Sequence, residues 1–105
     1  MENYIYVEKV VGTGAAISIT GAGFKPQVVE LINTEGLCFL KHVAGMAAAS
    51  GYKVLTGIDA TAADTVSKHS LISSGGVTLT DRGCTIGDDT DINVVGEDLY
   101  VICYR

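Results

Sequence analysis

Short runs rich in β-branched residues, cut apart by glycine, dominate this chain. Val and Ile together number twenty-one of its 105 residues, Thr adds ten, and thirteen glycines lie between the runs. Two branches at Cβ restrict χ1 and suit a pleated strand better than a helix. The first runs are Tyr4–Val11 and Ala15–Thr20, the second alternating Ile17 and Ile19 with Ser18 and Thr20. Two further runs follow, Gln27–Asn33 and Leu37–Val43, joined by Thr34-Glu35-Gly36 as a hairpin turn. Val28, Val29, Leu31 and Ile32 are the expected core side chains of the third strand. Tyr52–Thr56, Val77–Thr80, Cys84–Ile86 and Leu99–Tyr104 complete the series. The last is nearly all apolar, which predicts a central strand covered on both faces.

Two segments resist this reading. Ala44–Gly51 predicts one helical turn or an ordered loop. Ile58–Ser70 mixes Ala, Thr, Asp and Ser without period; a structureless stretch of that length predicts an arm or surface loop packed on something else. About eight or nine short strands separated by turns predict an all-β fold. The expected form is a single jelly-roll-like β-sandwich spanning 1–105.

Charge is scarce. Only 18% of the residues are charged and 48% are hydrophobic, against about 25% charged in ordinary soluble domains. A small domain has a large surface to cover, so the shortage predicts that part of it is covered by copies of itself or by a partner. The net charge is −5, and it is local. Asp81, Asp88, Asp89, Asp91, Glu97 and Asp98 face only Arg82 within that segment, while the remaining six acids and six bases cancel. Without a basic patch, direct nucleic-acid binding is not expected. The N-terminus has neither a basic n-region nor an apolar core, and no run approaches the roughly 20 residues that span a bilayer. Neither a signal peptide nor a membrane role is expected, and synthesis is expected in a cytoplasm.

The chemical motifs are weak. Gly12-Thr13-Gly14 and Gly21-Ala22-Gly23 lack the third glycine of a dinucleotide loop and read as strand turns. His42 falls on a polar strand phase and His69 in the arm, and no nucleophile elbow accompanies them. Cys38, Cys84 and Cys103 form no C-x-x-C and read as buried free thiols. Asp89-x-Asp91-x-Asn93 resembles the start of a calcium loop. It has Val94 where the glycine is needed and Tyr100 where the bidentate Glu belongs. Asp89, Asp91 and Asn93 are therefore only weak metal candidates, beside a solvated loop in which Asp88 or Asp91 caps turn amides. No catalytic residue, metal or cofactor is expected, and the chain reads as a non-enzyme.

Two segments carry a resemblance. Gly23-Phe24-Lys25-Pro26-Gln27-Val28-Val29-Glu30-Leu31-Ile32-Asn33 resembles the G-F-x-P-x-x-V-x-I-x-N strand of small β-sandwich domains in virion structural proteins of tailed bacteriophages. Gly83–Tyr100 resembles their closing G-F-x-I-G-x-D-x-D-x-N-x-x-G-x-x-x-Y segment, with Cys84 in place of Phe. Phe24, Pro26, Gly87, Asp89, Asp91, Asn93 and Gly96 are the matching positions. Their roles are structural: Phe24 anchors, Pro26 sets the start of its strand and removes an edge donor, and the glycines make turns.

The resemblance implies a capsid decoration (cement) protein on the virion exterior, bound to the major capsid protein and stabilising the assembled head. Self-association is expected too, as a trimer first and a dimer second. Tyr4, Tyr6, Ile58 and Val66 are the expected contact residues. A fibre domain binding a host receptor or glycan is the alternative.

Overall fold

The computed structural model describes residues 4–59 and 64–105. All regular structure in them is strand. The elements are β1 (Ile5–Val11), β2 (Ile17–Ile19), β3 (Val28–Asn33), β4 (Cys38–Val43), β5 (Ser50–Asp59), β6 (Asp64–Thr80), β7 (Gly83–Ile86) and β8 (Asp98–Tyr104). The chain is all-β, as its β-branched runs predict. The eight strands form one antiparallel sheet in the order β1-β8-β3-β4-β5-β6-β7-β2.

The sheet makes two layers by folding over at β6. This strand pairs with β5 from Asp64 to Ile72, then with β7 from Val77 to Thr80. A register shift opposite Ser50 and Gly51 marks the bend, where an irregular ladder concentrates twist. Gly75 has a φ of 76°, a left-handed geometry that a residue without Cβ adopts without strain. The end of β6, with β7 and β2, then lies over the inner side of β8, β3 and β4. First strand pairs with last and second with last but one, the nested pairing of a jelly roll, while β3 to β7 run as a meander.

The core sits between these layers. Val29 and Leu31 of β3, Cys38 and Leu40 of β4, and Leu99, Val101 and Cys103 of β8 meet Ile19, Val77, Cys84 and Ile86. All three cysteines are free and buried. The β3–β4 hairpin forms as expected, with Asn33 opposite Cys38. The Asn33 carboxamide oxygen closes its turn by accepting from the Glu35 and Gly36 amides, at 3.0 and 2.8 Å. Ala44–Ala49 makes successive turns closed by Met46 N to Val43 O and Ser50 N to Ala47 O, so its ordered-loop form prevails over a helical one.

Four local expectations change. Val28 and Ile32 point away from the core, because Asn33 keeps phase with Val29 and Leu31 on the buried side. His42 is buried, its Nδ1 2.9 Å from the Ser50 carbonyl, which supplies the partner that a core histidine needs. Pro26 shields no edge: β3 lies between β8 and β4, and Gln27 N already donates to Tyr104 O. Strand β8 is central, yet only Leu99, Val101 and Cys103 are fully buried; its outward residues are half-exposed.

Candidate functional site

Three features stand out around this frame: a closing loop, an arm and an outer sheet face.

The loop between β7 and β8, residues 87–97, caps the open end of the core. Asp89 Oδ1 accepts from the backbone amides of Asp91 and Ile92 at 3.0 and 3.1 Å, so Asp89, rather than Asp88 or Asp91, is the turn cap. Its other oxygen lies 3.0 Å from Lys53 Nζ, and Asp91 Oδ2 lies 2.5 Å from the same nitrogen. Lys53 projects from the inner side of β5, since its register partner is Leu40. The Lys53 and Asp89 side chains are only 12% and 9% exposed. Burial alone would lower the Lys53 pKa, but the Asp91 and Asp89 carboxylates outweigh it and hold the ammonium above its ordinary value. The two carboxylates of the calcium-like triplet are thus already paired with this chain's own cation. Among the described residues, no three His, Cys, Asp or Glu side chains gather as a metal cluster.

Asn93, the third member of the triplet, is 1% exposed and fully hydrogen-bonded. Its Oδ1 accepts from Thr13 N at 2.9 Å and Gly14 N at 3.2 Å. Its Nδ2 donates to Ala15 O at 2.6 Å and Gly87 O at 2.9 Å. One carboxamide therefore ties the β1–β2 link to the closing loop. Gly12 completes the seam: its amide donates to Glu97 O and its carbonyl accepts from Gly96 N. A Cβ at Gly12 would stand 2.1 Å from Val94 O, so only glycine lets the two strands of backbone approach this closely. Gly96, at a φ of 82°, makes the turn on the other side. Gly87 faces Gly75 at a distance that a Cβ would violate.

The two segments that carry the phage-domain resemblance meet here. Asn33 Nδ2, at the end of the first, donates to Ile92 O at 3.2 Å and Glu97 Oε1 at 2.9 Å in the second. At the opposite end, Pro26 is buried and Phe24 packs half-exposed against the core. The Arg105 guanidinium lies 5.4 Å from the Tyr4 ring centre and 5.9 Å from that of Phe24, within cation–π range.

The arm is the β5–β6 hairpin, where the sequence shows no period. Gly57–Asp59 and Asp64–Val66 pair beyond the point where β4 stops flanking β5. Every residue from Val66 to Leu71 is exposed, on both strand phases. His69 is therefore on the surface as expected, but on a strand, with its Nδ1 hydrogen-bonded to the Tyr52 hydroxyl. From Val66 to Leu71, β6 is thus an outer strand of the sheet with both of its phases wet.

The contact candidates scatter. Tyr4 is exposed beside Arg105. Tyr6 is half-buried against the core, its hydroxyl donating to Glu8. Val66 is exposed on the arm, 45% accessible. Ile58 belongs to β5, but its side chain lies outside the described residues.

The third feature is the outward side of β1, β8, β3 and β4. Cross-strand register sets Ile5, Tyr104, Val28 and Val43 in one row, and Val7 beside Ile102 in the next. Ile5 and Val7 are 61% and 60% exposed. Compared with known protein families, curated proteins and solved structures, the chain matches none.

Proposed function

We propose that this chain is a virion structural protein of a tailed bacteriophage, a capsid decoration protein that binds the assembled head. The observation that carries the reading is the interlocking of its two resembling segments. Asn33 of the first and Ile92 and Glu97 of the second hydrogen-bond each other, and Asn93, Gly87 and Gly96 each serve the same closure. These positions act as a framework, which accords with a family whose shared residues are structural. The exposed arm supports an attachment role: it extends the sheet past its own core and leaves Val66 open to a second surface.

The mechanism is mass action. A module that binds only the assembled shell stabilises it by RT ln(1 + [L]/Kd) per site. At a hundredfold excess over Kd that amounts to about 2.7 kcal/mol per site, and the gain multiplies over the shell. The test is addition of purified protein to heads assembled without it from the major capsid protein encoded with this chain. Co-sedimentation and a higher temperature of head disruption are expected, with Val66→Asp weakening both. Heads that neither bind the protein nor gain heat resistance would overturn the reading.

A further inference from the structure

Strand β8 is apolar on both of its phases, but the fold covers only one. Leu99, Val101 and Cys103 are buried, while Tyr100, Ile102 and Tyr104 lie half-exposed on the outer face. Their neighbours across the ladder continue the pattern, with Ile5 and Val7 of β1 more than half exposed. We propose that this outer face of β1, β8, β3 and β4 is the interface with a second copy of the same chain, packed face to face about a two-fold axis.

Charge is the first argument for that occupant. The protein carries −5, so copies repel unless they meet through a neutral surface. The face carries Lys9, Lys41, Glu30 and Asp98, two of each sign. They are also locally matched: Lys9 Nζ lies 3.9 Å from Asp98 Oδ2, and Glu30 is the register partner of Lys41. The unbalanced acids Asp81 and Asp88 lie off these four strands, in the turn after β6 and the loop after β7. A strongly charged partner would find no complement on the face, whereas an identical copy meets equal numbers of both signs.

Area is the second. Four strands about 4.8 Å apart and about seven residues long give a flat footprint of roughly 450 Å². Doubled across a two-fold axis, and with side-chain relief added, it reaches the roughly 1,000 Å² at which specific interfaces begin. An isologous contact also needs only one patch, used twice.

The inference is independent of what the arm binds, and one pair of variants separates the two. Val7 is 60% exposed and outside the core, so Val7→Asp leaves the fold intact while placing two carboxylates in the contact, one from each copy. Sedimentation equilibrium at tens of micromolar should give twice the chain mass of 10.9 kDa for the wild type. Val7→Asp should weaken the dimer by about tenfold or more, while its urea midpoint stays close to that of the wild type when both are compared too dilute to dimerise. Val66→Asp should remain dimeric while losing head binding. A monomeric wild type, a trimer, or a dimer that survives Val7→Asp would overturn the proposal. Dimers that ignore heads would instead overturn the decoration reading alone.

Discussion

Asn93 offers the sharpest separation between a framework and a metal site. A calcium loop of the D-x-D-x-N type would be strengthened by a third carboxylate, because calcium prefers charged oxygen ligands. The hydrogen bonds demand the opposite. The Asn93 oxygen faces two amide donors, and its nitrogen faces the Ala15 and Gly87 carbonyls. Asn93→Asp keeps both accepted bonds and loses both donated ones, setting a carboxylate oxygen against two carbonyl oxygens. Each lost bond costs about 1 kcal/mol net. Burying the charge without a cation raises the total to about 3–5 kcal/mol at neutral pH, a large share of a typical 5–15 kcal/mol stability. The pH dependence has a defined sign. Burial and the facing carbonyls lift the folded pKa of the introduced group above its unfolded value of about 3.9. The deficit is therefore smallest below about pH 4 and grows as pH rises through the folded pKa. Urea denaturation of wild type and variant, side by side at pH 4 and 7 with and without calcium, measures this. A loss under about 1 kcal/mol at neutral pH, or a calcium-dependent gain in the variant, would refute the reasoning.

Two further predictions follow from the same loop and its surroundings. Lys53→Met leaves Asp89 buried without its cation, though still holding two backbone amides, while Asp91 turns to water. The expected cost is about 1–3 kcal/mol in urea, below that of breaking a fully buried pair; a change under about 0.5 kcal/mol would place the lysine among ordinary surface pairs. Raising the pH should destabilise the fold from about pH 9. Burial lifts the Cys38 thiol from 9.0 to about 11, and Glu8 and Glu30 raise the Tyr6 and Tyr104 hydroxyls through hydrogen bonds. Lys53 is raised as well. Groups raised on folding contribute fully below their unfolded pKa and lose that contribution as pH climbs through the folded one. A urea midpoint unchanged between pH 8 and 11 would contradict these shifts.

Where local chemistry decides the structure, the sequence can be read directly. The β3–β4 hairpin needs two apolar runs and a turn between them, and Asn33 caps that turn with bonds to residues two and three positions on. The alternation of Ile17 and Ile19 with Ser18 survives unchanged, because β2 buries one face only. The phase of β5 is different. Tyr52 and Val54 look like core residues, but register with β4 turns Lys53 and Leu55 inward. A lysine can stand there only because two aspartates arrive 36 and 38 residues later in the chain, and no local pattern announces such a meeting. His42 hides for the same reason: its partner is a carbonyl on a strand reached through a separate turn. The described part of the arm on β6, Val66–Leu71, shows no hydrophobic period because both of its phases face solvent.

The shortage of charge finds its place in the same geometry. A strand that alternates apolar with polar residues asks for cover on one side, and one that is apolar throughout asks for it on both. Strands β3 and β4 soften their outer phases with Glu30 and Lys41, which sit side by side and cancel. Strand β8 carries no charge between Leu99 and Tyr104, and its outer phase there is Tyr100, Ile102 and Tyr104, the last with its hydroxyl 2.6 Å from Glu30. The edge strand β1 spaces Ile5, Val7 and Val11 along the same surface, interrupted by Lys9 alone. Edge strands usually carry charge, proline or a bulge where sheets must be kept apart. On β1 the charge is Glu8 and Lys9, while Ile5, Val7 and Val11 continue the apolar outer face of β8, which is the pattern that the proposed contact between copies requires.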